Sequence, residues 1–114
     1  MPYVKIQTNQ TPTDADAARI SEKASAFAAA ELGKPERYVM VALETGVTMR
    51  YAGSDAPCAY LEVKSIGLAE QAIETLSASF CDFCAAELAV APDRVFIRFE
   101  APPGAWWGWN RRTF

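Results

Sequence analysis

The stretch Pro35-Glu36-Arg37-Tyr38-Val39-Met40-Val41 decides the fold, because it returns as Pro92-Asp93-Arg94-Val95-Phe96-Ile97-Arg98 after an offset of 57 residues, half of the 114-residue chain. Tyr3-Val4-Lys5-Ile6-Gln7-Thr8 and Tyr60-Leu61-Glu62-Val63-Lys64-Ser65 share that offset. Two matched pairs at one spacing indicate a duplicated unit, with halves near 2–57 and 59–114 of a single domain spanning 1–114. Each half runs in the same order: an alternating strand, a long Ala-rich segment with helical spacing, then a Pro-acid-Arg turn into another strand. That order predicts a βαβ unit.

Local signals set the boundaries. Thr13 with Asp16 reads as an N-cap and its N3 partner; Ile20, Ala24, Phe27 and Leu32 share a face; and Gly33 ends a helix predicted at about 13–32. In the second half, Ala69, Ile73, Leu76, Phe80 and Cys84 predict a helix at about 69–89. Gly46, Gly53-Ser54-Asp55 and Pro57 bracket a short extra strand expected near Thr48–Tyr51.

Right-handed crossovers make the strands parallel within each unit. The expected fold is therefore α+β: two pseudo-symmetric βαβ units forming a four-stranded mixed sheet with both helices on one face. After Pro35, Val39, Val41 and Leu43 alternate with the equally apolar Tyr38, Met40 and Ala42, which implies a strand covered on both faces. No further helix exists to cover the second face, so a homo-oligomer with closed symmetry is predicted.

Composition narrows the function. With 51% hydrophobic residues, a formal net charge of −3 and no twenty-residue apolar run, the chain is expected to be a soluble cytoplasmic protein. The opening MPYVKIQTNQ has no apolar core of a signal peptide. The negative balance disfavours nucleic acid and anionic membrane as partners and favours a small molecule or a protein. The absence of histidine removes Ser-His and Cys-His nucleophile pairs, imidazole bases and most catalytic zinc sites. Cys58, Cys81 and Cys84 make an odd count, and Cys81-x-x-Cys84 is read as helix packing rather than redox or metal chemistry.

A base must then come from elsewhere, and Pro2 is the candidate. Removal of Met1 would leave a free secondary amine, and an apolar pocket beside a cation would lower its pKa toward neutrality. The plainer reading is that Pro2 opens a strand, where a missing N–H costs nothing.

Several segments at compatible spacings, from Pro2 to Phe114, change that balance: Met1-Pro2 before Gln7-Thr8-Asn9, Gly33-Lys34-Pro35, Pro57-Cys58-Ala59, Ser65-Ile66-Gly67, Pro92-Asp93-Arg94-Val95, and Gly108-Trp109-Asn110 with Thr113-Phe114. Together they resemble the macrophage migration inhibitory factor family of the tautomerase superfamily. The resemblance implies a homotrimer with sites at subunit interfaces and a keto–enol tautomerisation of phenylpyruvate-type 2-oxo acids that needs no metal or organic cofactor. It makes Pro2 the catalytic base and Lys34 the substrate-binding lysine, which would otherwise read as a solvated turn charge. It places the substrate-binding backbone at Ser65-Ile66, with the Ile66 N–H as donor, and sets Tyr3, Tyr38, Trp107, Trp109 and Phe114 around the pocket. Phe96 stands where the family carries a pocket tyrosine. Arg98 stands where it carries an asparagine, in a strand closer to D-dopachrome tautomerase; a guanidinium there is suited to grip a carboxylate from the neighbouring subunit. Leu61 replaces the second cysteine of the family's Cys-x-x-Cys, which argues against thiol–disulfide activity. The resemblance leaves two further readings: a cytokine-like binding protein with a vestigial pocket, an unidentified protein receptor and export without a leader, or a hydratase or dehalogenase in which Pro2 acts as an acid.

Overall fold

A computed structural model describes all residues, 1–114. Its principal sheet contains β1 (Tyr3–Thr8), β2 (Met40–Glu44), β3 (Ala59–Lys64) and β4 (Val95–Glu100) in the order β2-β1-β3-β4. β1 and β2 are parallel, β3 and β4 are parallel, and β1 meets β3 antiparallel, so the two halves join along the middle of a mixed sheet. The crossovers are α1 (Asp14–Leu32) and α2 (Ile73–Leu88). A two-stranded hairpin, β5 (Gly108–Trp109) with β6 (Arg112–Thr113), closes the chain.

The start and stop signals act as the sequence predicts. Thr13 accepts from the Asp16 N–H at 3.2 Å, and Gly33 adopts a left-handed φ of 63° at the α1 C-cap. A glycine takes that conformation without the steric cost a Cβ imposes. Both Pro-acid-Arg turns are single turns of 3-10 helix, at Glu36–Tyr38 and Pro92–Arg94. The N-terminal end of the second helix differs: a 3-10 turn covers Glu70–Ala72 before regular α-helix begins at Ile73 without a side-chain cap. Its other end stops at Ala89, held at φ 54° with no glycine to mark it.

Strand alternation aims Val4, Ile6 and Thr8 of β1, and Ala59, Leu61 and Val63 of β3, at the helices, and all six are buried. Ile20, Ala24 and Ala28 of α1 and Leu76, Phe80, Cys84 and Leu88 of α2 complete this layer. Phe27 is half-buried along the helix–helix seam, where its ring lies 5.0 Å from Phe80 and 4.9 Å from Phe83.

The extra strand expected at Thr48–Tyr51 does not form. Tyr51 makes one isolated bridge with Ser54, closed by left-handed Ala52 and Gly53; Val47 N–H still donates to the Thr8 carbonyl at 3.1 Å, but residues 48–50 find no neighbouring strand within the protomer. The second sheet face is also less apolar than the β2 pattern implied. Lys5, Gln7, Glu62 and Lys64 lie among its residues, with Lys5 paired to Glu44 at 3.6 Å, while Met40 and Phe96 stand 67% and 61% exposed on opposite outer strands.

Candidate active site

Pro2 sits where the two halves of the sheet meet. Its carbonyl accepts from Met40 N–H at 3.0 Å, which starts the β1–β2 ladder, and continuing the Tyr3–Lys64 register by one residue sets Pro2 opposite Ser65. The Pro2 side chain is fully buried. Met1 precedes it, and the terminal ammonium donates to the Tyr38 carbonyl at 3.1 Å. Desolvation, then the Lys34 charge, holds this amine below its ordinary value of 8.0.

A cleft of about 550 Å³ opens over these residues. Pro2, Tyr3, Tyr38, Met40, Trp107, Trp109 and Phe114 form its apolar lining, and Arg37, Lys64 and Glu100 bring charge to it. The turn before β2 supplies Tyr38, and the C-terminal hairpin folds Trp109 and Phe114 against that ring. Trp109 stacks on Phe114 at 5.5 Å with planes 15° apart and meets Tyr38 edge-on at 5.5 Å. Such offset and edge-on arrangements suit the ring quadrupoles and present a fixed aromatic wall. Arg37 lies over Tyr38 at 4.8 Å and Arg112 over Trp109 at 5.5 Å.

A smaller cleft of about 200 Å³ holds Lys34, Ser65 and Ile66. Gly33 ends α1 and turns Lys34 into this cleft, and Lys34 takes part in none of the chain's ion pairs. Ser65 is buried and its N–H donates to the Glu100 carbonyl at 3.0 Å, whereas the Ile66 N–H has no backbone partner. The free donor and the cation thus lie in one cleft, with Ser65 adjoining Lys64 of the other.

The structure therefore brings Pro2, Tyr38 and Trp109 together, sets Lys34, Ser65 and Ile66 beside them, and leaves Phe96 and Arg98 apart. Those two project from the outer face of β4, paired with Tyr60 and Glu62, and line neither cleft of the protomer. Arg98 contacts Glu100 at 3.6 Å. Sequence reasoning missed Arg37, Met40, Lys64 and Glu100. Met40 and Lys64 carry a usable signal, since strand alternation aims both at the face opposite the helices.

Cys84 is fully buried, and burial followed by the neighbouring Cys81 pushes its thiol up to about 12. Cys81 is half-buried and also raised, first by desolvation and then by Asp82. Both shifts work against thiolate chemistry.

A βαβ duplication with an aromatic cleft over a buried second-position proline defines a recognisable class. A family model described as macrophage migration inhibitory factor matches residues 1–114, and the chain belongs to that family. D-dopachrome decarboxylase-B of Xenopus laevis is 41% identical over 106 residues, covering 87% of this chain and 85% of that protein. A macrophage migration inhibitory factor homolog of Brugia malayi is 34% identical over 115 residues, covering 100% and 99%. The crystal structure of the macrophage migration inhibitory factor homologue from Prochlorococcus marinus superposes with a TM-score of 0.90 at 40% identity, covering 98% of each chain. No helix is long and apolar enough to cross a membrane.

Proposed function

We propose that the chain, once Met1 is removed, is a cofactor-free keto–enol tautomerase for phenylpyruvate-type 2-oxo acids, with Pro2 as general base. The observation that carries this reading is the position of the N-terminus. The Met1 amine, one residue ahead of Pro2 in the same aromatic cleft, is desolvated and feels the Lys34 charge, the two causes that lower its proton affinity, and removal of Met1 would leave the Pro2 amine exposed to both. A base with pKa near the working pH combines adequate basicity with a populated neutral form.

In this reaction the aryl group packs against Tyr38, Trp109 and Phe114, while Lys34 holds the carboxylate. Neutral Pro2 takes a proton from C3, and the electron pair of the C–H bond moves into the C2–C3 bond as the oxo group gains charge. The Ile66 N–H, unused by the backbone, is an available donor for an anionic oxygen. Prolinium then returns its proton to the oxygen, giving the enol; the reverse sequence gives the ketone. The relatives named D-dopachrome decarboxylase bring D-dopachrome-type compounds into the same substrate proposal.

The proposal includes a homotrimer, in which the outer face of β4 delivers Phe96 and Arg98 to a neighbour's Pro2 cleft. Support comes from the exposure of Met40 and Phe96 and from the unpaired segment 48–50. Sedimentation is expected to show a stable trimer, and a stable monomer would exclude the interface site. The activity test is phenylpyruvate turnover in the processed protein. Pro2→Gly, or one residue added ahead of Pro2, should lower kcat/KM by orders of magnitude; unchanged turnover removes Pro2 from the mechanism.

A further inference from the structure

Arg94 fastens a loop far from itself in sequence. Its Nε donates to the Pro57 carbonyl at 2.8 Å, Nη1 to Tyr51 at 3.2 Å, and Nη2 to Ser54 at 3.2 Å and Ala56 at 3.0 Å. The same guanidinium lies 5.2 Å from the centroid of the Tyr51 ring. Asn9 holds the loop from another side: Nδ2 donates to the Asp55 and Ala56 carbonyls at 3.1 and 3.2 Å, and Oδ1 accepts from the Cys58 N–H at 2.9 Å. With the Tyr51–Ser54 bridge closed by left-handed Ala52 and Gly53, residues 51–57 have little freedom to slide.

The consequence is a fixed position for Tyr51. Its ring rests against Phe96 at 4.8 Å, with planes 59° apart. Phe96 and Arg98 occupy alternate positions of β4 and therefore share its outer face, so the three side chains form an aromatic patch beside a guanidinium. The Tyr51 hydroxyl makes no hydrogen bond within the chain, although that of Tyr60 on the same face bonds Glu62 at 3.2 Å. A ring held in place by its neighbours with a free hydroxyl donor is preorganised for a ligand, because little side-chain entropy remains to be lost on contact.

We propose that Tyr51 is a substrate-binding residue of the assembled site, donating through its hydroxyl to an oxygen of the 2-oxo acid beside Arg98, and that Arg94 is its positioning residue. This rests on the tautomerase reading above, in which the outer face of β4 meets a neighbour's Pro2 cleft. Phe96 supplies an apolar surface there, Arg98 a charge and Tyr51 a neutral directional donor. Arg94 cannot be replaced conservatively by lysine, because one ammonium does not reproduce a planar fork serving four carbonyls.

The test measures kcat and KM for phenylpyruvate in the processed oligomer. Tyr51→Phe keeps the ring and every backbone bond of the loop, and it should raise KM about 5- to 10-fold with kcat within about twofold, the loss expected for one hydrogen bond. Adding Phe96→Tyr returns a hydroxyl to the neighbouring ring and should recover most of that loss. Arg94→Lys should raise KM to a similar level, and the double variant Arg94→Lys/Tyr51→Phe should be no worse than either single change. A KM within twofold of wild type for Tyr51→Phe overturns the binding role, whatever the stability of Arg94→Lys. So does a loss that Phe96→Tyr leaves untouched. Effects of Arg94→Lys and Tyr51→Phe that multiply overturn the positioning role. Pro2→Gly, run alongside, separates the two levels: a variant as active as wild type removes the tautomerase reading and the inference with it, whereas an inactive one leaves Tyr51 to be judged on its own result.

Discussion

Trp109→Ala tests the aromatic wall most sharply. In the structure the indole stacks on Phe114 and meets Tyr38, and its removal takes away one of the three rings against which the proposed aryl group packs. One aromatic contact contributes roughly 0.5–1.5 kcal/mol beyond burial, and about 40 Å² of aryl surface returned to water adds about 1 kcal/mol at ~25 cal/mol per Å². A loss of roughly 1.5–2.5 kcal/mol corresponds to an increase in KM of about 12- to 70-fold. Pro2, the proposed base, and Lys34 are untouched, so kcat for phenylpyruvate should change by less than about threefold. The assay is steady-state absorbance of the enol, run with phenylpyruvate and with an aliphatic 2-oxo acid, and with circular dichroism to establish that the variant is folded. The aliphatic substrate should be nearly indifferent. A KM for phenylpyruvate within about threefold of wild type, or equal losses on both substrates, would refute the placement of the aryl group against this wall.

Further outcomes follow from the same geometry. The Lys34 charge lowers the pKa of the Met1 amine, and in the proposal it acts likewise on the processed Pro2. Lys34→Ala should therefore move the acid limb of the kcat/KM profile to higher pH, because the base must lose its proton to act; a limb that stays in place or moves down would show that Lys34 does not act on Pro2. Phe80→Ala should cost about 3–5 kcal/mol as a core truncation and lower Tm by roughly 12–20 °C for a chain of this length, whereas half-buried Phe83→Ala should cost less than half as much; equal shifts would contradict the packing. Cys84, with its thiol pushed up to about 12, should resist alkylation by iodoacetamide in the native protein at pH 8 and react on denaturation, as mass spectrometry of the labelled peptides would report.

The fold was legible where one residue type has one dominant physical use. Thr13, Gly33 and the alternation of Val4, Ile6, Leu61 and Val63 each mark a cap, a stop or a buried face, and the 57-residue offset carried these signals from one half to the other. Ala89 was opaque because a left-handed alanine is held by its surroundings rather than by local preference. The segment at Thr48–Tyr51 misled for a related reason: β-prone residues need a neighbouring strand, and the protomer offers none. At the site, the aromatic residues could be placed from the resemblance. Alternation along β3 could have pointed to Lys64, whereas the contributions of Arg37 and Glu100 depend on how the hairpin and the sheet ends converge, which no local spacing encodes. The hold of Arg94 on Tyr51 bridges 43 residues through a side chain and a carbonyl, an interaction without periodicity.

Catalysis as proposed requires the processed Pro2 amine to be neutral enough to act as a base. The most direct measurement is an NMR titration of Pro2 nitrogen in protein whose intact mass shows Met1 to be absent. A pKa below the ordinary α-amino value of about 8, coincident with the acid limb of kcat/KM, is expected. A Pro2 that titrates at or above that value, and so remains protonated at neutral pH, would contradict the proposal.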